Sequence, residues 1–221
     1  MAYLVALVVG YLIGSIPTAY ILARFMKGAD IRTIGSGNVG SSNMWQSVSK
    51  IGYVATLGFD LLKGAFAILF LRANGYDEVL QMLGGIAAIV GHSWPLWLRF
   101  IGGRGIATTG GVLFMFGPVE TMWTGILVAS GSALKKGPQT VLLSFLLWPL
   151  WATLWSQVSL EIVIGSLVVW LLIVVRRLQG SKGLHLTATN ENVYWNRLWL
   201  DRDIKDTAEW VRLGGGKKRG A

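Results

Sequence analysis

The chain has 221 residues, of which 53% are hydrophobic and only 14% charged, with eleven tryptophans and a mean hydropathy of +0.54. Such values lie outside the soluble globular range and specify an integral membrane protein, whose net charge of +9 points to cytoplasmic loops and anionic lipid rather than to nucleic acid. The absence of cysteine excludes disulfides, a cysteine nucleophile and thiolate metal sites, and two histidines without clustered carboxylates argue against zinc.

Tyr3–Ala23 is an uncharged apolar run long enough for one bilayer crossing, and the first cation, Arg24, follows it. A cleavable signal places its cations before the apolar run, so this one is expected to stay as a first span with the amino terminus outside. Gly10 and Gly14 suit close helix contact there, and Pro17 is expected to bend its cytoplasmic end. Next comes Gly35-Ser36-Gly37-Asn38-Val39-Gly40-Ser41-Ser42-Asn43, where glycines and short polar side chains crowd between apolar segments. Such a turn can direct several N–H groups at an anion. Lacking the Gly-Lys-Ser/Thr ending of a P-loop, it reads alone as a polar connection.

Further apolar segments are expected at Ile51–Leu71, Val79–Leu98, Ile106–Gly117, Thr121–Leu134, Thr140–Ser156 and Glu161–Val175, making seven with the first. Merging the short fourth and fifth would leave six and strand the basic carboxy-terminal tail outside. Seven segments place eighteen of the twenty lysines and arginines inside, with Arg72 alone on the outer turns beside Asp77, Glu78, Glu120 and Glu161. Asp60 and Lys63 lie one turn apart within the second segment, where ionisable groups are costly unless paired, and are expected to form an ion pair facing the bundle. Trp148, Trp151 and Trp155 recur at helical spacing and suit interfacial anchors. The expected organisation is a membrane domain over 1–180, a cytoplasmic or interfacial segment over 181–213 whose Asn192–Leu213 stretch suits an amphipathic helix, and a flexible basic tail over 214–221. The fold class is thus an all-α bundle of seven transmembrane helices, two of them short.

In this topology the Gly35–Asn43 turn lies inside. So does a second one, Gly102-Gly103-Arg104-Gly105-Ile106-Ala107-Thr108, which adds a cation and leads into a helix start. Two such turns on one face point to an anionic-ligand site. His92, in Gly91-His92-Ser93-Trp94-Pro95, lies just inside the membrane from them and is suited either to orient the turns or to shuttle a proton, or else to satisfy helix-end carbonyls.

Gly14-Ser15-Ile16-Pro17, Asp30-Ile31-Arg32, Gly35 to Gly40, Asn43, Asp60-Leu61-Leu62-Lys63-Gly64, Gly91-His92, Pro95 and Gly102 to Thr108 stand in one order over roughly the first half of the chain. In that order the sequence resembles the PlsY-type bacterial acylphosphate:glycerol-3-phosphate acyltransferases. The resemblance implies a seven-span bacterial plasma-membrane enzyme without cofactor or metal. It would move a fatty acyl group from acyl phosphate to glycerol 3-phosphate, giving lysophosphatidic acid and phosphate. Ser36, Asn43, Arg104 and His92 become the catalytic candidates. Gly35, Gly37, Asn38, Gly40, Ser41, Ser42, Gly102, Gly103, Gly105 and Thr108 are expected on substrate phosphate, with Asp60 and Lys63 as the supporting polar pair.

The sequence also departs from that family. Gln46 stands where an arginine is usual, Ile101 where a lysine precedes the glycine pair, and Arg104 where the motif has lysine. Glu191 and Tyr194 fall where a carboxy-terminal His and Asn are expected, although Arg197-Leu198 and Asp203 fit; either His185, Asn190 or Asn192 compensates, or the site is altered. A catalytically altered lipid- or phosphate-binding relative, or an organic-anion transporter, would share the composition, and oligomeric state is not specified by these residues.

Overall fold

The computed structural model of the protein describes residues 1–180 and 192–206, with Ala208 and Trp210, and every regular element among them is helical. The helices are α1 (Ala2–Gly14), α2 (Thr18–Lys27), α3 (Ser41–Ser47), α4 (Lys50–Ala73), α5 (Glu78–Ser93), α6 (Ile106–Phe114), α7 (Pro118–Ala133), α8 (Gly137–Trp155), α9 (Leu160–Leu178) and α10 (Val193–Leu200). By length and hydropathy three stretches suffice to cross a bilayer, Ala2–Lys27, Lys50–Ala73 and Glu78–Leu98.

The first apolar run differs from expectation in being two helices. Pro17 has no N–H and pushes Ile16 out of the helical region, so α1 ends at Gly14 and α2 restarts at Thr18. The break has a structural use. It frees the Ile16 carbonyl, which accepts a hydrogen bond from Lys63 Nζ at 3.1 Å, and it sets Thr18 Oγ1 2.5 Å from Asp60 Oδ1 as donor.

Helices in lipid gain little from apolar burial against one another, so close packing and small residues hold them together. α1 lies along α5, where a Cβ on Gly10 or Gly14 would overlap the Gly84 or Ala88 carbonyl. α4 meets α6 in the same manner, Gly64 against Thr108 and Gly111 against Leu61. Between α4, α5, α6, α8 and α9 sits the apolar core, with Ile68, Met82, Ile89, Val112, Phe145, Trp148 and Ile173. Trp148 corrects a sequence expectation: it is 0% exposed, not an interfacial anchor, and its indole N–H donates to Thr121 Oγ1 at 2.9 Å. Trp155 is 74% exposed. The outward faces carry Phe25, Ile51, Phe59, Leu62, Phe66 and Leu160, all exposed as a lipid-facing surface requires.

The turns sort by end. Arg72 Nη2 donates to Met115 O at 3.0 Å, Ser156 Oγ to Glu120 Oε1 at 2.6 Å, and Ser159 Oγ to Glu78 Oε2 at 3.4 Å, joining the turns after α4, α6 and α8. Both glycine-rich turns lie at the other end. α10 packs there on α8 and α9 and is shorter than the helix expected over 192–213, because Asp201 takes a left-handed backbone with φ 55°. The stretch 181–191, with His185, Asn190 and Glu191, and the basic tail 214–221 lie outside the described residues.

Candidate active site

The first glycine turn is built on Asn43, which is 0% exposed. Its amide nitrogen faces the carbonyls of Ile31, Ile34 and Asn38, each at 3.0 Å, while its Oδ1 accepts from Ser36 N at 3.1 Å and Ser47 Oγ at 3.0 Å. These bonds fold the chain around one side chain. Gly35 and Gly37 take φ of 56° and 69°, a region costly for other residues, and so let the backbone circle it. Just upstream Arg32 Nη2 pairs with Asp30 Oδ2 at 2.7 Å, and the hydrogen-bonded guanidinium holds the Asp30 carboxyl below the usual carboxylate range.

The second turn is held from beneath. Arg176, at the end of α9, donates through Nε to Gly103 O at 3.0 Å and through Nη2 to Gly102 O at 2.9 Å, while Gly103 N donates to His92 O at 3.2 Å. A Cβ on Gly103 would overlap His92 Nε2 and lie 2.5 Å from Val39 O, so this glycine is where the two turns and the imidazole meet. Gly105 then adopts φ 78° and starts α6, aiming its first N–H groups back toward the turns. His92 Nδ1 faces Asp60 Oδ1 at 3.6 Å, and Lys63 Nζ pairs with the same oxygen at 2.9 Å. The expected Asp60–Lys63 pair therefore forms, inside the bundle and under the turns.

Above this platform is a cavity of about 350 Å³. Ser36, Asn38, Gly40, Ser41, Ser42, Gln46, Asp60, His92, Arg104 and Gly105 give it a polar wall, and Leu57, Ile106, Val128 and Val141 an apolar one. Of the residues expected in the site, Gly35, Gly37, Asn43, Lys63, Gly102, Gly103 and Thr108 are not on the lining. Asn43 spends its amide on the loop, Gly102 and Gly103 are backed by Arg176, and Thr108 is buried where α6 lies on Gly64. They shape the site without facing it.

Sequence reasoning missed part of the lining, namely Arg177, Asp201, Arg202 and Trp210. Arg104, 6% exposed, is ion-paired through Nε with Asp201 Oδ1 and donates through Nη2 to Asp201 O at 3.1 Å; its Nη1 has no partner among the described residues. Arg177, 1% exposed, donates through Nη1 to Leu198 O at 2.9 Å and through Nη2 to Pro138 O at 2.8 Å, with Nε unpartnered among the described residues. Burial pushes the Arg202 guanidinium below its usual value. The one signal available in the sequence was the Arg176-Arg177 pair at the end of an apolar segment, which charge counting assigns to topology.

A lipid-facing helical bundle with a cation-bearing polar cavity at one end defines an integral membrane protein equipped for an anionic substrate. The glycerol-3-phosphate acyltransferase family profile matches residues 4–190. Glycerol-3-phosphate acyltransferase 5 of Dehalococcoides mccartyi is 36% identical over 217 residues, 96% of this chain and 93% of the relative. Glycerol-3-phosphate acyltransferase 2 of Moorella thermoacetica is 48% identical over 125 residues, 57% of this chain and 64% of the relative. The crystal structure of PlsY (YgiH), an integral membrane glycerol 3-phosphate acyltransferase, in its glycerol 3-phosphate form is 27% identical with a TM-score of 0.73, covering 81% of this chain and 90% of that one. The lysophosphatidic acid form, at 24% identity and TM-score 0.74 over 96% of this chain and 100% of that one, shares the fold. The chain belongs to the glycerol-3-phosphate acyltransferase family, and it is a membrane enzyme that transfers an acyl group to glycerol 3-phosphate.

Proposed function

We propose that the acyl donor is an acyl phosphate and that the cavity between the two glycine turns is where transfer occurs. The observation that carries this reading is Arg104, buried beside the Ser36–Ser42 turn with an Nη1 group that no described residue satisfies. A buried guanidinium with a spare donor suits a phosphate oxygen, and the turn's N–H and hydroxyl groups suit the rest of its lone pairs. The solved relative in its glycerol 3-phosphate form supports the acceptor.

In this scheme a glycerol hydroxyl oxygen attacks the acyl carbonyl carbon, an ester bond forms, and the bond from that carbon to the phosphate oxygen breaks. The electron pair leaves with phosphate, and the hydroxyl proton passes to a phosphate oxygen, giving lysophosphatidic acid and hydrogen phosphate. Acyl phosphate is already activated, so no covalent enzyme intermediate enters. Ser36 and the turn stabilise charge on the carbonyl oxygen and Arg104 the departing phosphate, each interaction strengthening as charge develops. Asn43 acts by holding Ser36. His92 acts by seating Gly103, its Nδ1 edge turned to Asp60.

For the membrane arrangement we propose seven crossings, with α1 and α2 forming one broken span, the amino terminus outside and α10 on the cytoplasmic side of a bacterial plasma membrane. The concentration of cations at the cavity end supports it. A single cysteine at Lys136 is expected to label from the cytoplasmic side alone; labelling from outside would contradict this orientation. The function is tested by following phosphate release from acyl phosphate by detergent-purified protein. Release is expected to depend on glycerol 3-phosphate and to fall at least ~10-fold in Ser36→Ala and in Arg104→Ala. Release indifferent to glycerol 3-phosphate would sink the donor assignment, and near-wild-type rates in both variants would make the turns structural.

A further inference from the structure

The cavity holds a second buried cation that the scheme above does not use. Arg177 reaches it from α9, on the side of the α7–α8 hairpin, while Arg104 enters from the turn before α6. Its two terminal nitrogens are committed to neutral carbonyls, Leu198 O and Pro138 O, which fix the plane of the guanidinium without balancing its charge. Among the described residues, the carboxylate that acts electrostatically on Arg177 is Asp201, which is engaged by Arg104. A charge that is 1% exposed, on a residue that lines the cavity and with a buried Nε–H that no described residue satisfies, is completed by an anionic oxygen entering beside it.

The cavity is also graded in polarity. Ser36, Asn38, Ser41 and Ser42 of the first turn give it polar lining, whereas the α7–α8 hairpin, where Arg177 is held at Pro138, contributes Val128, Pro138 and Val141 with Ser132 as its one polar side chain among the described lining residues. Glycerol 3-phosphate carries no apolar part and suits the polar wall. An acyl phosphate must lay its chain along an apolar one while its phosphate stays within reach of a cation. Resting on the acyl-phosphate reading, we infer that Arg177 is a substrate-binding residue that joins Arg104 in seating the phosphate of the lipid donor, from the side of the cavity where the acyl chain leaves.

The test is steady-state kinetics of the full chain in detergent with palmitoyl phosphate and glycerol 3-phosphate varied independently. Arg177→Gln keeps one amide to bond a carbonyl and removes the charge, and it is expected to raise KM for palmitoyl phosphate about 10-fold while KM for glycerol 3-phosphate moves less than about 2-fold. Arg177→Lys, which restores charge without the fork, is expected to lie between Gln and wild type. If Arg177→Gln does not fold, Arg177→Lys carries the test through the same selective rise. A fall in kcat or thermal stability with both KM values unchanged, or a rise confined to glycerol 3-phosphate, would overturn the assignment and leave Arg177 a structural clasp between α8, α9 and α10. Wild-type protein inert with palmitoyl phosphate yet active with another acyl donor would fail the donor assignment itself, and the role given to Arg177 would fall with it.

Discussion

Replacing Gly103 with alanine adds one methyl group at the point where the two turns and His92 converge. The backbone there is not in the left-handed region, so alanine carries no conformational penalty and the cost is steric. The new Cβ would stand 2.5 Å from Val39 O and 3.0 Å from His92 Cε1, and would overlap His92 Nε2. Ordinary van der Waals contact begins near 3.4 Å, so one partner must retreat by roughly 1 Å, whereas Arg176 and the His92 carbonyl hold the Gly103 backbone from the other side. Overpacking of this kind costs about 1–3 kcal/mol, and a displacement of about 1 Å at reacting groups lowers rates by about 10²-fold. The expected result is kcat/KM for glycerol 3-phosphate down by ~10–100-fold with the bundle still folded, since the lesion lies outside the apolar core. Initial rates and a thermal melt in detergent measure both. Gly58→Ala is the control, because a Cβ there meets nothing within 4 Å on α4 and should leave activity unchanged. A Gly103→Ala enzyme as active as that control would refute the claim that this contact sets the spacing of the turns.

Three more outcomes follow from named contacts. Asn43→Asp would set a carboxylate oxygen about where the amide now faces three carbonyls at 3.0 Å, and unsatisfied buried groups at ~1–3 kcal/mol each should abolish turnover to below about 1% of wild type, with Asn43→Ala less severe; the initial rate decides. Arg176→Lys loses the fork across Gly102 O and Gly103 O and should lower kcat about 10-fold with Tm nearly unchanged, an outcome to be read against Arg176→Ala. Asp30 has its folded pKa lowered by Arg32, so its contribution to stability is present above the unfolded value near about 4 and is lost as pH falls through the folded one. The stability gap between wild type and Asp30→Asn should therefore be widest at neutral pH and close on acidification below about pH 4, as melts across pH will show.

The sequence exposed the helices readily because uninterrupted apolar runs are long-range signals in their own right. It also exposed the Asp60–Lys63 pair, because residues one turn apart on a helix share a face whatever else surrounds them. The break at Pro17 was harder to read, since a proline near the end of a span looks the same in a bent helix as in a divided one; what fixes it is Lys63, distant in sequence, waiting for the freed carbonyl. Trp148 has the spacing of an interfacial residue, and only the packing of α7 on α8 puts Thr121 beneath its indole. Arg177 and Asp201 were illegible for the same reason. Their neighbours, Pro138 and Arg104, belong to other elements, and periodicity carries no information about contacts of that range.

Among the described residues, four buried cations at the cavity end separate into two kinds once their donors are counted. Lys63 bonds Ile16 O and Asp60, and Arg176 bonds Gly102 O, Gly103 O, Gln179 and Gly180 O, so the nitrogens of these two are used to satisfy backbone that helix breaks leave open. In a bilayer such carbonyls have no water to turn to, which makes a cation the natural cap for a broken helix inside a bundle. Arg104 and Arg177 also hold backbone oxygens, at Asp201, Leu198 and Pro138, yet each keeps a nitrogen without a partner among the described residues. A structural clasp gains nothing from a spare buried donor beside a cavity, where its desolvation is uncompensated. Retaining it makes sense when a ligand supplies the missing acceptor, and this distinguishes the pair proposed to meet phosphate from the pair that builds the floor beneath it. The distinction has a kinetic form: loss of Arg104 or Arg177 should appear in the substrate dependence of the rate, and loss of Lys63 or Arg176 in stability or in kcat.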